Sequence, residues 1–452
     1  MKKHSPRAQK PCISEKNPGP EIPTTGVRTS RERGLLRTFS ALRSRNYRLY
    51  WCGQMISLTG SNMQGIGQAW LVLELTHSAW QLGLVGALQA LPILLFALFG
   101  GLLVDRWSRR RVLLATQAAA MLQAFLLWLL IASGAIQLWH VYVLALLLGF
   151  TNCLYRPAGQ AFVVELVGRE DLPNAVALRS SLGRLTGIVG PGLGGVIIAL
   201  SSVRLLFLLN ALSFLAVIAS LLLIRGHELH LQARQESAVR WRTWQSLREG
   251  IDYVWHTPAV LLMTVVVGLV LLFGSNFGVL LPVMATDVLH VGATGFGFLS
   301  AATDAGALLA ALWLAWGNRW PTIRSVLIGA LLFGILEALF ALSHFYPLSV
   351  VLIASVCFAE EAFATQALTA LQTIVPDHLR GRATSVQILF FDGSLPLGYL
   401  LVGWLASLCG APLTLLICAL LCLAVVGAGW LWHNAALASG REVSEPTSPT
   451  QL

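Results

Sequence analysis

Hydrophobic residues occur along most of the chain in long, nearly continuous runs that are separated by short polar segments. A helix that crosses a bilayer needs about 20 apolar residues, whereas membrane strands alternate apolar and polar positions over about ten residues. The runs therefore predict twelve transmembrane helices. Their approximate bounds are 48–73, 80–104, 112–133, 140–165, 175–200, 205–224, 259–284, 294–316, 325–343, 348–374, 384–408 and 413–432.

The longest internal polar stretch separates the sixth and seventh predicted spans and contains an amphipathic helix candidate, Trp241 to Trp255. Glu170-Asp171-Leu172 before the fifth span resembles Asp377-His378-Leu379 before the eleventh, as expected for parallel repeats of six helices. We therefore predict an all-α membrane protein of two pseudo-symmetric six-helix lobes. The predicted segments are a disordered basic tail (1–38), an N-terminal lobe (39–224), a cytoplasmic linker (225–257), a C-terminal lobe (258–433) and a disordered tail (434–452).

Composition excludes most other classes of protein. The 452 residues are 56% hydrophobic and 12% charged, against about 25% charged residues in an average soluble domain. The seven cysteines form no CxxC pair, no nucleotide-binding loop or nucleophile motif occurs, and the histidines show no local ligand spacing. We expect a protein that is not an enzyme and has no cofactor and no metal site.

Charge is distributed very unevenly among the loops. With the N-terminus inside, 27 of the 31 Lys and Arg residues lie on the cytoplasmic side, and Arg204 is the one on the opposite side. Such a bias sets membrane orientation, so both termini are predicted to be cytoplasmic in an inner membrane. The excess of basic residues is explained by the membrane, and no nucleic acid partner is expected.

A motif of one acid and four arginines ends the second span. It reads Gly101-x3-Asp105-Arg106-x2-Arg109-Arg110-Arg111. A carboxylate beside a basic turn can accept charge-assisted hydrogen bonds and hold two helices in one conformation, and Gly101 permits close helix approach. The motif and its position resemble the gating latch of the major facilitator superfamily. The arginines alone could also serve only as topology anchors.

The fifth span carries a string of small residues, Gly187-x2-Gly190-Pro191-x2-Gly194-Gly195. Gly and Pro in a membrane helix allow bending and close packing. The string resembles the antiporter-associated motif of exporters in the superfamily, which favours efflux. A packing stripe without directional meaning is the alternative.

Further stretches resemble one branch of the superfamily, the enterobactin-exporter-like and macrolide-efflux-like transporters. They include Arg156-Pro157-Ala158-Gly159-Gln160, Asp171-Leu172-Pro173-Asn174-Ala175, Gln372-Thr373-Ile374-Val375-Pro376-Asp377 and Leu379-Arg380-Gly381-Arg382. The resemblance implies export of siderophores, macrolides or other amphipathic compounds, driven by proton antiport. The sequence departs from the branch at Arg179, Arg184 and Asp304, which puts the substrate in doubt.

Polar residues recur at helical spacing on several apolar spans, which predicts one polar face on each. The superfamily fold places spans 1, 4, 7 and 10 around a substrate cavity, while hydrogen bonds between helices are the alternative. The candidate cavity residues are Gln54, Ser57, Ser61, Gln64, Gln68, Asn152, Arg156, Gln160, Asn276 and Thr365.

Ionisable residues near the bilayer centre are expensive and usually functional. The candidates for proton coupling or for a static ion pair are Arg184, Asp304, Glu360, Glu361 and Asp392, with Glu337 ranked below them. Arg184 and Asp304 each lie about 15 Å into the membrane at 1.5 Å per residue. Because the superfamily fold packs spans 5 and 8 together, we predict an ion pair between these two residues.

The combined expectation is a secondary transporter that exports a small amphipathic compound by proton antiport. A proton-coupled uptake symporter and a transport-inactive scaffold or sensor are the alternatives. The expected partners are the small-molecule substrate, protons and the lipid bilayer, and the expected assembly is a monomer.

Overall fold

A computed structural model describes residues 40–168, 170–230, 242–317 and 321–438 of the protein. Side chains are described at these positions apart from 97–106, 242–247, 377–378, 392 and 437. The described residues form helices and connecting turns with no β-strand. The all-α class expected from the apolar runs is confirmed.

The first six long helices form the N-terminal lobe. A short 3₁₀ turn, Ser40–Arg43, precedes them. They are α1 (Arg45–Thr76), α2 (Ala79–Arg106), α3 (Arg109–Ala132), α4 (Leu138–Val167), α5 (Leu172–Leu200) and α6 (Val203–Leu223). The helix α7 (Arg242–His256) lies in the segment that was predicted to link the lobes.

The remaining helices form the C-terminal lobe. They are α8 (Pro258–Gly274), α9 (Phe277–Val283), α10 (Gly292–Trp316), α11 (Ile323–Ala341), α12 (Tyr346–Ile374), α13 (Asp377–Cys409) and α14 (Ala411–Ala438). A π-helical turn, Met284–Val288, follows α9. The last helix continues five residues beyond the predicted end of the lobe.

Eleven spans within the described residues are long and apolar enough to cross a membrane. The first predicted span corresponds to α1, which has 32 residues but is not among the eleven. Its polar face explains this, because Gln54, Gln64 and Gln68 lower its mean hydropathy and are buried within the protein.

The seventh predicted span corresponds to Pro258–Val288. It is interrupted at Ser275 and Asn276, between α8 and α9. The side-chain amide Nδ2 of Asn276 donates to the carbonyls of Leu272 at 2.8 Å and Phe273 at 3.1 Å. A side chain that takes these carbonyls competes with the next turn of backbone hydrogen bonds, which ends the helix.

The two lobes repeat one packing scheme. In the N-terminal lobe α1 packs against α6 and α2 against α4, and in the C-terminal lobe α8 packs against α14 and α10 against α12. Between the lobes, α5 packs against α10 and α2 against α13, which are pairs related by the same repeat. The repeat therefore places α1 and the α8–α9 segment at equivalent positions in the two lobes. It does the same for α4 and α12.

We call the side on which α1 begins and α14 ends the terminal side, and the other the far side. The lobes approach each other closely in the far half of the protein. An ideal Cβ on Gly195 of α5 would lie 2.9 Å from Cα of Gly297 in α10. Trp70 of α1 stacks on Phe296 of α10 with ring centroids 6.3 Å apart. Contacts between helix backbones and between aromatic rings thus join the lobes on the far side, and we call these contacts the far-side seal.

Candidate functional site

A cavity of about 430 Å³ lies mainly within the N-terminal lobe. Its α1 wall is the predicted polar face, which contributes Gln54, Ser57, Ser61, Gln64 and Gln68. These positions share one face because α-helical side chains three and four residues apart project in the same direction.

Several of the same side chains also connect helices. Gln64 Nε2 donates to Gln123 Oε1 of α3 at 2.9 Å, and Asn210 Nδ2 of α6 donates to Gln64 Oε1 at 2.7 Å. Ser57 Oγ donates to Gln117 Oε1 at 3.5 Å. Cavity lining and helix-to-helix hydrogen bonding were posed as alternatives, and Gln64 does both. The amides are therefore fixed in orientation before any ligand arrives.

The α4 wall supplies Asn152 and Arg156, together with Tyr155. The Tyr155 hydroxyl donates to Gln54 Oε1 at 2.8 Å and so positions an α1 amide from the opposite wall. Gln160, one turn further toward the terminal side, is exposed and is not part of the lining.

The C-terminal lobe closes the cavity with Gly278, Val279, Leu395 and Tyr399. Asn276 is not part of the lining and is 1% exposed, because its amide is used at the break between α8 and α9. Thr365 lies outside this cavity as well, and its hydroxyl donates to Glu361 Oε1 at 3.5 Å.

A second cavity of about 170 Å³ lies in the C-terminal lobe. Both Glu360 and Glu361 of α12 line it, as does Leu395, which also borders the larger cavity. Ser275, at the break between α8 and α9, donates its hydroxyl to Glu360 Oε1 at 2.5 Å. The carboxylates of adjacent residues thus have different partners, since Glu361 turns toward the N-terminal lobe.

Arg184 of α5 connects the lobes through two carboxylates. Its Nη2 lies 2.6 Å from Glu361 Oε2, and its Nη1 lies 3.5 Å from Asp304 Oδ1 of α10. The three side chains are about a third exposed, at 33%, 28% and 33% for Arg184, Glu361 and Asp304. Sequence reasoning placed Arg184 beside Asp304, but it gave no sign that Glu361 would be the nearer partner.

The small residues of α5 face two different neighbours. A Cβ on Gly187 would meet the carboxylate of Asp304, and a Cβ on Gly195 would lie 2.5 Å from the Ala293 carbonyl. A Cβ on Gly190 would lie 2.9 Å from the Thr59 carbonyl of α1. Gly187 therefore makes room for the carboxylate that Arg184, one turn earlier, binds.

The other members of the string complete this arrangement. A Cβ on Gly194 would lie 3.4 Å from Met63 Cα of α1, and the Pro191 carbonyl faces Gly297 of α10. Small residues on two faces of α5 thus let it pack tightly between α1 of its own lobe and α10 of the other lobe.

The predicted latch lies only partly within the described residues. The side chains of Gly101, Asp105 and Arg106 fall outside them. Arg109 forms an ion pair with Glu165 at the end of α4, and Arg110 Nη2 donates to the Leu222 carbonyl at 3.0 Å. Arg111 is exposed. The basic turn therefore ties α3 to α4 and α6.

Asp392 and Glu337 are the remaining candidate carboxylates. The side chain of Asp392 lies outside the described residues. Glu337 of α11 is fully buried, and neither carboxylate oxygen has a hydrogen-bond partner among the described residues. An ideal Cβ on Gly274 would lie 3.2 Å from Glu337 Oε2, so this acid adjoins the break between α8 and α9.

Glu165 is a functional candidate that sequence reasoning did not assign. Its side chain is 8% exposed and pairs with Arg109. The available signal was an acid at the terminal-side end of one span, on the same side as three consecutive arginines. Tyr155 and Tyr399 were also missed, because a single tyrosine in an apolar run has no distinctive pattern.

Comparison with known proteins identifies the family. The family model for transmembrane secretion effectors matches residues 36–450. The chain belongs to this family of major facilitator transporters. Among curated proteins, it is 30% identical to the multidrug efflux pump Tap of Mycolicibacterium fortuitum, covering 79% of this chain and 88% of that protein.

Other relatives extend the comparison. The chain is 29% identical to the enterobactin exporter EntS of Escherichia coli, covering 77% of this chain and 81% of that protein. A crystal structure of a bacterial homologue of the human lysosomal transporter Spinster superposes with a TM-score of 0.67 at 13% identity, covering 90% of this chain and 99% of that one. The transporter therefore has the major facilitator fold and is a multi-pass inner membrane protein that moves a small molecule.

Proposed function

We propose that this secretion effector exports a small amphipathic compound, siderophore-like or drug-like, in exchange for protons through alternating access. The observation that carries the proposal is the position of Arg184, whose guanidinium binds Glu361 and Asp304 between the lobes. The larger, polar cavity adjoins the smaller cavity that Glu361 lines, since Leu395 borders both.

Protonation of a carboxylate is the event that couples proton entry to substrate exit. A proton on Glu361 removes the negative charge that attracts Arg184, so the interaction between α5 and α12 weakens. Glu360, Asp392 and Asp304 are the further candidates for carrying the proton. Release of Arg184 would free the two lobes to move relative to each other, and loss of the proton would restore the pair.

The charge bias and the packing support loading of the substrate from the cytoplasm. The Lys and Arg excess on the terminal side supports a cytoplasmic location of both termini. The far side is closed by Gly195 against Gly297 and by Trp70 against Phe296. In this orientation the conformation is inward-facing, which suits loading of a substrate from the cytoplasm.

Efflux is favoured over uptake by the relatives, which include a multidrug efflux pump and an enterobactin exporter. Both cavities and the Arg184 network are built from one chain. We therefore propose that the monomer is the transporting unit.

Proteoliposomes with a pH-sensitive dye inside test the proposal. A panel of siderophores and drug-like compounds is loaded into the vesicles, and an acidic outer buffer is then imposed. We expect at least one compound to leave the vesicles while protons enter, and Arg184→Gln to abolish both movements. Protons and compound moving in the same direction would instead establish symport. The absence of any coupled movement, with correctly inserted protein, would favour a scaffold or sensor.

A further inference from the structure

The wall of the larger cavity carries a positive charge. Among the described side chains that line it, Arg156 is the one with a formal charge, and no carboxylate is present. The other polar groups are amides and hydroxyls. They include Gln54, Gln64, Gln68, Gln89, Asn152, Asn210, Ser57, Ser61 and Thr151.

Arg156 also lacks a partner of its own. Within the described part of the chain, Arg109 and Arg184 pair with carboxylates, whereas Arg156 forms no ion pair and no hydrogen bond. A guanidinium has five N–H donors in a planar fork that matches carboxylate geometry. The donors of Arg156 are therefore available to a molecule inside the cavity.

Arg156 lies deep within the membrane span, where it is exposed to the larger cavity. Arg156 lies eleven residues before the end of α4 at Val167, which places it about 16 Å from the terminal side at 1.5 Å per residue. This is close to the middle of a hydrocarbon core about 30 Å thick. Charged side chains at that depth usually face a cavity and mark the path of a substrate.

Among the described carboxylates, Glu360 and Glu361 line the smaller cavity of the C-terminal lobe and not the larger one. An anion on Arg156 would therefore lie in a different cavity from these two acids.

We propose that Arg156 binds the anionic group of the substrate, so that the exported compound is a small organic anion with an apolar body. The carboxylate or phenolate lies against the guanidinium, the amides of α1 bind its neutral polar groups, and Val72, Leu82 and Phe214 cover its apolar part. Charge-assisted bonds of this kind are about twice as strong as neutral ones. The inference rests on the proposed export function because it assigns that function's substrate class.

Two dyes that share a xanthene ring system but differ in charge provide the test. Carboxyfluorescein is an anion at neutral pH, whereas rhodamine 123 is a cation because its carboxyl group is esterified. Fluorescence polarisation measures their binding to the purified protein in a nonionic detergent. We expect the protein to bind carboxyfluorescein at least about tenfold more tightly than rhodamine 123 through the charge-assisted bond. Arg156→Gln should remove this preference, and Arg156→Lys should keep part of it.

Arg204→Gln is the matched control, because it removes one positive charge from an exposed position at the start of α6. It should bind both dyes like the unaltered protein. Size-exclusion chromatography of each variant shows that it is folded. Equal binding of the two dyes, binding of neither, or an undiminished preference in a folded Arg156→Gln variant would each overturn the anion site.

Equilibrium binding does not require transport, so the two proposals can fail separately. A preference for the anion that depends on Arg156, in a protein that moves no compound in proteoliposomes, would leave the anion site standing and reject the export function. Coupled efflux by a protein whose dye preference does not depend on Arg156 would leave the export function standing and reject the anion site.

Discussion

Arg184 and Glu361 form the shorter of the two contacts that join the lobes at mid-membrane, with Nη2 and Oε2 2.6 Å apart. The contact of Arg184 with Asp304 is 3.5 Å long. Ion-pair strength falls with distance, so Glu361 is the stronger partner. Neutralising Glu361 should therefore affect transport more than neutralising Asp304.

We predict that Glu361→Gln slows efflux more than Asp304→Asn does, and that Arg184→Gln slows it most because two carboxylates then lose their cation. Exchanging the charges of Arg184 and Asp304 should not restore transport, since a carboxylate at position 184 would face Glu361. Initial efflux rates in everted vesicles, normalised to the amount of protein, provide the measurement. Full rescue by the exchange would contradict the role of Glu361.

We predict that the proton carrier is among Glu360, Glu361 and Asp392. The variant Glu360→Gln, Glu361→Gln, Asp392→Asn should lose efflux driven by a pH gradient but keep substrate binding and counterflow, because neither requires net proton movement. Counterflow and pH-driven efflux are compared in the same proteoliposome preparation. If the triple variant still responds to the gradient, the carrier lies elsewhere and Asp304 becomes the next candidate.

We predict that Gly195→Val opens the far-side seal. A Cβ there would lie 2.5 Å from the Ala293 carbonyl, so the lobes must separate. Gly192→Val is the matched control on the same helix, because no atom lies within 4 Å of a Cβ at that position. Labelling of a cysteine introduced at Gln68, which lines the larger cavity and is 6% exposed, with a membrane-impermeant maleimide added on the far side should accelerate only with Gly195→Val. Equal labelling in both variants would argue against this seal.

We predict that Asp105→Asn strongly reduces transport while insertion and expression stay near normal, because the latch needs a charged acceptor. Arg109→Gln should act differently. It leaves the carboxylate of Glu165, which is 8% exposed, without its cation, and such an unpaired buried charge destabilises the fold. A lower melting temperature for Arg109→Gln and unchanged stability for Asp105→Asn would separate the two roles. Normal transport by Asp105→Asn would leave the arginines as topology anchors.

We predict that Glu337→Met raises the melting temperature. Its two carboxylate oxygens are fully buried and have no hydrogen-bond partner within the described part of the chain, and burying an unpartnered polar group costs free energy that an apolar side chain avoids. Glu360→Met is the comparison, because that change removes the hydrogen bond from Ser275 and should not stabilise. A destabilised Glu337→Met variant would show that the carboxyl group has a structural partner after all.

Much of the fold could be predicted because membrane helices depend on local apolar content. The predicted span 140–165 corresponds to α4 at Leu138–Val167, within a few residues at each end. The polar face of α1 was also predictable, since its five residues follow helical periodicity and line one cavity. The proximity of Arg184 and Asp304 could be predicted from depth alone, given which helices neighbour each other.

Features that depend on contacts between distant helices could not be predicted in this way. Glu361 has a depth compatible with several partners, and only the rotation of α12 directs it toward Arg184. Glu165 meets Arg109 because α4 ends beside the start of α3, which linear spacing does not show. The interruption of the seventh span had a local signal in Gly274-Ser275-Asn276, but its high apolar content outweighed that signal.

That interruption has a consequence for how the protein moves. A continuous helix passes a rotation from one membrane face to the other, whereas Ser275 and Asn276, at φ −84° and −110°, act as a joint. The segment beyond the joint, α9, contacts α1 and α2 of the other lobe as well as α13 and α14, while α8 packs against α13 and α14 of its own lobe. A change in the backbone torsions of Ser275 and Asn276 can therefore turn α9 relative to the N-terminal lobe while α8 keeps its contacts.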